Sequence, residues 1–232
     1  MMRRPTIRPT PRARLIVLIA VLGSAVADWA ELTPARAVVV GQPRGDLSLL
    51  VPGEHNRLNA TMAIATAEAA GVAPDRTAEA LEDFAGLPHR LQLVADHNDV
   101  RFFNDSKSTT PASALLAIHS FEPGRVRLIA GGYDKQADLT GFARQAAERC
   151  AAIYTLGQTG DAIADAAETV ADHCAVHRCG ELEPAVRGAI EHARPGDVVL
   201  LSPACASWDQ FDSFEQRGRR FAEHVLHYAT PD

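Results

Sequence analysis

The chain has 232 residues, of which 47% are hydrophobic and 22% charged, a profile that supplies apolar bulk for one or two packed cores. Its net charge of -6 and pI near 5.8 exclude a broad basic footprint for nucleic acid. Four cysteines, Cys150, Cys174, Cys179 and Cys205, form neither a CxxC pair nor a finger-like spacing, so they read as reduced thiols of a cytosolic fold, and no metal ligands are assigned.

In chain order, Arg3, Arg4, Arg8, Arg12 and Arg14 precede an apolar run from Leu15 to Ala27 that closes on Gly-Ser-Ala-Val-Ala. That is the layout of a secretory signal peptide. At about 1.5 Å per residue the run falls well short of a bilayer core of roughly 30 Å, so a spanning helix is not expected. The competing reading is a truncated gene start that leaves an apolar strand or helix at the N-terminus.

From Val38 onward the chain changes character. Ala37–Gly41 and Leu47–Pro52 read as short strands ending in turns, His55–Ala70 as a long alanine-rich helix stopped by Gly71, and Pro74–Phe84 as a second helix. Gly86-Leu87-Pro88 reads as a linker. Beyond it strands are expected at Val100–Phe103, Val126–Ala130, Ala152–Leu156, Ala175–Arg178 and Val198–Leu201. Helices are expected at Pro111–Phe121, Leu139–Cys150, Asp161–Ala171, Glu181–Ala193 and Phe214–Tyr228. Continuous apolar strands separated by amphipathic helices predict an α/β fold with a mainly parallel sheet covered on both faces. In such sheets ligands bind beyond the carboxyl ends of the strands.

Three strand ends carry unusual residues. Asn104-Asp105-Ser106-Lys107-Ser108-Thr109-Thr110 sets a carboxylate, an ammonium and four hydroxyls before a helix N-terminus, which suits an anionic ligand, although N-capping with a solvated lysine explains it too. Gly131-Gly132-Tyr133-Asp134-Lys135 brings a flexible backbone and one ammonium to the same edge, or is simply a turn. Ser202-Pro203-Ala204-Cys205-Ala206-Ser207-Trp208 is a small-residue loop. A hydrolase built on Cys205 or a serine with a histidine finds no Gly-x-Ser-x-Gly elbow here.

Together these loops resemble the Mur ligases. Gly53-Glu54-His55-Asn56-Arg57-Leu58-Asn59-Ala60 resembles the motif opening the last helices of their central domain, and Gly86-Leu87-Pro88-His89-Arg90 resembles their interdomain linker. The loops at Asn104, Gly131 and Ser202, with Phe214-Glu215-Gln216-Arg217-Gly218, are similar to those of the D-glutamate-adding branch. Ser108 stands where alanine is more usual, and Gln136 where a glycine often follows the lysine.

The resemblance implies a Rossmann-like C-terminal domain over residues 91–232. A remnant of the central ATPase domain, its helical tail, would occupy 38–90, behind an atypical segment at 1–37. It implies ATP-driven addition of D-glutamate to UDP-N-acetylmuramoyl-L-alanine in peptidoglycan precursor synthesis, through an acyl phosphate, with Mg2+ as the family's metal. By matching position, Asn56, Asn59, Arg90 and Asp105 would contact the nucleotide, and Lys107 would lie near the transferred phosphate. Thr109, Lys135, Ser207 and the backbone at Phe214 would bind D-glutamate. A cytoplasmic monomer is expected, with no membrane or nucleic-acid partner; export is the alternative if residues 1–27 are a working signal.

No Gly-x-x-x-x-Gly-Lys-Ser/Thr loop occurs, nor the Gly-Thr-x-Gly-Lys-Thr version of these ligases. The family's UDP-binding domain and the central-domain histidine and modified lysine that hold its second metal have no counterparts either. The chain is therefore expected to be an incomplete fragment that does not turn over alone. The alternative is a non-catalytic module that keeps D-glutamate or nucleotide recognition.

Overall fold

The structure is a computed structural model describing residues 17–20, 37–40, 42–170 and 172–229, the first two segments by their backbone alone. The described residues fall into two compact units: those up to Leu49 together with Glu54–Asp83, and Leu50–Gly53 together with those from Phe84 onward.

In the first unit β1 (Val17–Ala20) pairs in parallel with β2 (Ala37–Val40). The arginine-rich stretch and the small-residue close of the signal-like layout lie outside the described residues. The helices α1 (Glu54–Ala69) and α2 (Pro74–Glu82) follow, the second opening on a proline, whose missing N–H is no loss in a first turn. The strand expected at Leu47–Pro52 does not form. The alternation there is real, but it turns Leu47 and Leu49 onto Ala60 and Ile64 of α1 and Ala78 and Leu81 of α2, so the apolar face is spent on helices instead of a ladder.

The second unit is one sheet with helices on both faces. Its strands are β3 (Gln92–His97), β4 (Val100–Asn104), β5 (Val126–Gly131), β6 (Ala152–Leu156), β7 (Ala175–Gly180) and β8 (Val198–Leu201), in the spatial order β3-β4-β8-β5-β6-β7. Every pairing is parallel except β3 with β4. That hairpin turns on Asn98 and Asp99, both at positive φ (54° and 60°), the backbone that a two-residue turn of matching twist demands.

The strands alternate sides with period two. Phe103, Leu128, Ile153 and Leu200 point to one face, against α3 (Pro111–His119), α4 (Thr140–Arg149) and α5 (Gly160–Glu168). Phe102, Ile129, Tyr154, Val199 and Leu201 point to the other, against α6 (Leu182–Glu191) and α7 (Phe214–Ala229). β5, β6 and β8 are buried at every position, which is why they read as unbroken apolar runs. Burying each such Leu or Ile contributes about 1.5–3 kcal/mol.

Because α3 to α5 cover one face and α6 and α7 the other, the crossovers change side between β7 and β8. β8 returns to lie between β4 and β5. The loops leaving β4, β8 and β5 are therefore neighbours at one sheet edge, the position where doubly wound sheets bind ligands.

His89 O accepts from Lys107 N (3.1 Å), and the His89 ring sits against the Gly218 position of α7, so the second unit reaches back into the linker. A fragment beginning at Phe84, expressed to Asp232, is expected to unfold in a single cooperative transition by circular dichroism and calorimetry with matching enthalpies. A broad, non-cooperative melt of that fragment would contradict the division into two units.

Candidate functional site at the carboxyl edge of the sheet

The loop after β4 uses most of its polar groups internally. Asp105 is 5% exposed; its Oδ1 accepts from Leu91 N (3.2 Å) and its Oδ2 from the Ser202 hydroxyl (2.8 Å), with Ser108 as a further donor. Burial raises this carboxyl above the ordinary aspartate value, and these hydrogen bonds and the Arg90 charge only partly oppose it. Ser106 donates to the Phe214 carbonyl (2.8 Å), and Thr110 caps α3 by accepting from Ser113 N. Of the seven residues, Lys107 and Thr110 are exposed and Thr109 is half-buried, and Thr110 is already engaged as the cap of α3.

Asn104 locks the linker. Its Oδ1 accepts from Ser106 N (3.2 Å) and its Nδ2 donates to Gly218 O (2.9 Å), which fixes the amide's orientation. The same Nδ2 lies 3.1 Å from His89 Nδ1, which must then be an acceptor, so the ring is neutral. Burial likewise holds the His89 pKa below its ordinary value. A Cβ at position 218 would stand 2.2 Å from His89 Nδ1, so only glycine admits this seat.

Arg217 fastens the loops. Fully buried, it donates from Nε to the Ser106 hydroxyl (3.0 Å), from Nη1 to the Cys205 and Ala206 carbonyls (both 3.1 Å), and from Nη2 to Ser106 O (2.9 Å) and Cys205 O (3.1 Å). Those bonds use the five N–H groups a guanidinium carries. Burial lowers its pKa to about 10, which still leaves it charged at neutral pH. Ala206 O also accepts from Tyr133 N (2.9 Å), so the loops after β5 and β8 meet at that carbonyl, and Arg217 ties the loop after β4 to it through Ser106.

The Gly131-Gly132 pair is there for close approach. A Cβ on Gly132 would lie 2.2 Å from Ala206 O. Thr159, after β6, joins the cluster: its hydroxyl accepts from Gly132 N (3.0 Å) and lies 3.3 Å from Cys205 Sγ. Burial pushes the Cys205 thiol up, the reverse of what a nucleophile needs. In the loops after β5 and β8, Gln136 (φ 61°) and Ala204 (φ 60°) hold left-handed backbone without being glycine, and the first explains why a glycine suits that position.

Between these loops lies a cleft of about 130 Å³, lined by Thr109, Thr110, Pro111, Tyr133, Asp134, Lys135, Ala137, Leu139, Thr159 and Ala204 to Ala206. Thr109 and Lys135 share it. Ser207 is not part of the lining; it is 2% exposed, and its carbonyl accepts from Gln210 N and Phe211 N. The Phe214 carbonyl is taken by Ser106, and its ring carries the Lys107 ammonium 5.4 Å from the centroid. Arg90 is exposed, and Asn56 and Asn59 lie on α1 of the first unit. Among the described residues no cluster of three or more His, Cys, Asp or Glu side chains is arranged to hold a metal. Also among them, no helix is long and apolar enough to cross a membrane.

Sequence reading gave no role to Arg217, Thr159, Tyr133 or Trp208. Arg217, Tyr133 and Trp208 stand inside the motifs quoted above, and Gly157-Gln158-Thr159-Gly160 after an apolar strand is a legible signal of the same kind.

A doubly wound, mainly parallel sheet with polar loops drawn together around a cleft at its carboxyl edge defines a Rossmann-like domain, and such sheets place ligands at that edge. The family described as Mur ligase, glutamate ligase domain, matches residues 89–205, and the chain belongs to it. The UDP-N-acetylmuramoylalanine--D-glutamate ligase of Pelotomaculum thermopropionicum is 46% identical over 198 residues, covering 85% of this chain and 42% of that protein. The chain thus spans less than half the length of this relative. In fold it is similar to MurF from Acinetobacter baumannii (TM-score 0.65, 17% identity, 93% of this chain and 52% of that one). It is also similar to MurF ligase from Thermotoga maritima in complex with ADP (TM-score 0.54, 16% identity, 77% and 39%).

The raised Asp105 pKa has a definite sign. The folded state holds the proton more tightly than the unfolded one, so this group favours folding most below the ordinary value of 3.8, and that contribution falls as pH rises toward the folded value. Asp105→Asn cannot ionise. The unfolding free energy of the wild type minus that of the variant is expected to decrease from about pH 3 to pH 7 in urea titrations. A difference that increases with pH would show a carboxyl stabilised as the anion.

Proposed function

We propose that this chain carries the D-glutamate-receiving part of a ligase that joins D-glutamate to UDP-N-acetylmuramoyl-L-alanine, a step in peptidoglycan precursor synthesis. The observation that supports this best is the meeting of Thr109 and Lys135, from different loops, in one cleft. An ammonium and a hydroxyl suit one carboxylate of a small dicarboxylic amino acid, and the apolar Leu139, Ala137 and Pro111 suit its methylenes. The similarity to a UDP-N-acetylmuramoylalanine--D-glutamate ligase suggests the substrate class.

In this reading Lys135 neutralises a substrate carboxylate and Thr109 donates to it. Ser207 acts from behind the cleft, by holding Gln210 and Phe211. Phe214 orders the Ser106 hydroxyl and carries Lys107, whose ammonium is offered to a phosphate. Arg90 of the second unit serves the nucleotide, and Asp105 supports it by holding Leu91; Asn56 and Asn59, in the first unit taken by itself, are assigned to the nucleotide by the family match alone. ATP, when bound, would activate the acceptor carboxylate. The charges of Lys107 and Arg90 fit its phosphates, but these residues include no backbone cradle for them.

Titration of D- and L-glutamate into isotopically labelled protein checks the reading by NMR. Shifts are expected at the loops holding Thr109, Lys135 and Ser207, with D preferred and a millimolar dissociation constant, about -4 kcal/mol. Lys135→Ala is expected to abolish them, since a charge-assisted hydrogen bond is worth roughly 1.5–3 kcal/mol. Equal responses to the two enantiomers, or shifts confined elsewhere, would overturn the assignment of D-glutamate to this cleft.

A further inference from the structure

Trp208 is 62% exposed on the loop after β8. Single exposed apolar side chains are ordinary, and exposure alone says nothing. Three further observations set this one apart. The Lys135 ammonium stands 4.8 Å from the centroid of the Trp208 ring, within cation–π range. The Tyr133 ring packs on the same indole at 5.7 Å, tilted by 59°. And the backbone under the indole is fixed on both sides: Ala206 bridges to Tyr133, while Asp209 Oδ2 accepts from Gln158 N at 3.0 Å.

Lys135 itself has little else to hold it. It lies in the irregular stretch after β5, it is exposed, and the next residue has left-handed backbone. Its ammonium rests on the Trp208 face. A lysine on a free four-carbon stem loses much rotamer entropy when it settles on a ligand, and a seat taken beforehand reduces that loss. The ring occupies one side of the ammonium, which keeps donors for a carboxylate on the other. Lys107 rests on Phe214 in the same manner, so the 205–214 segment provides an aromatic seat for each of the two lysines.

We propose that Trp208 is a positioning residue: its ring seats the Lys135 ammonium at the mouth of the cleft, set in advance for a carboxylate of the amino-acid substrate. This rests on the reading of the cleft as an amino-acid site.

Two measurements on the 232-residue chain and its Trp208→Ala and Trp208→Phe variants keep the proposal separable from that reading. Without ligand, the Lys135 side-chain methylenes should resonate upfield from the indole ring current. They should move to ordinary lysine positions in Trp208→Ala and stay partly shifted in Trp208→Phe. With D-glutamate, Trp208→Ala should weaken binding roughly three- to five-fold, and Trp208→Phe less than that, the scale of an exposed cation–π contact. Lys135 signals identical in wild type and Trp208→Ala would overturn the seat. A moved Lys135 with unchanged D-glutamate affinity would overturn its role in binding. A wild type that ignores both enantiomers would contradict the amino-acid reading instead, and the ligand-free spectra would still decide whether Trp208 seats the lysine.

Discussion

The guanidinium of Arg217 lies fully buried with no carboxylate in ion-pair contact among the described residues, and the site's geometry depends on how that charge is satisfied. Taking such a group out of water costs several kcal/mol, and hydrogen bonds to a charged donor return about 1.5–3 kcal/mol each. The balance is favourable only if all five donors find acceptors together. They do so by drawing in Ser106 from the loop after β4 and the carbonyls of Cys205 and Ala206 from the loop after β8. Tyr133, after β5, shares Ala206 O through a single bridge, so one residue of α7 ties the loop after β4 to the bridged loops after β5 and β8. Gly218, next along the helix, lets the linker's His89 close against the same turn.

That fastening divides the polar residues into two groups. Ser106, Ser108, Asp105, Ser202 and Thr159 spend their hydrogen bonds on one another and on the backbone, and so build the wall. Thr109, half-buried, lines the cleft, and Lys107 and Lys135 are exposed, resting on Phe214 and Trp208. A rigid polar wall behind a few free donors is how a small charged ligand is bound without reorganising the site.

The sheet was legible because β5, β6 and β8 are buried on both faces and read as unbroken apolar runs. β3 was not read, since it is a half-buried edge strand with a bulge near Leu93, and its alternation is correspondingly blurred. Leu47–Pro52 shows the opposite failure: alternation without a partner strand, spent on α1 and α2. In the site, the motif loops pointed to Thr109 and Lys135, which share the cleft. Arg217 could not be picked out from spacing, because an arginine on an amphipathic helix ordinarily reads as solvated, and only packing shows that this one turns inward. The burial of Asp105 and Ser207 was hidden for the same reason: a short polar loop looks alike whether its hydroxyls face water or each other.

The most direct measurement of whether Arg217 fastens these loops is amide hydrogen exchange on Arg217→Met beside the wild type. The guanidinium account predicts faster exchange in 105–110, 202–207 and at Tyr133, with the amides of β5 and β6 still protected by their own ladders. Unchanged protection at those loops, with Arg217 gone, would contradict it.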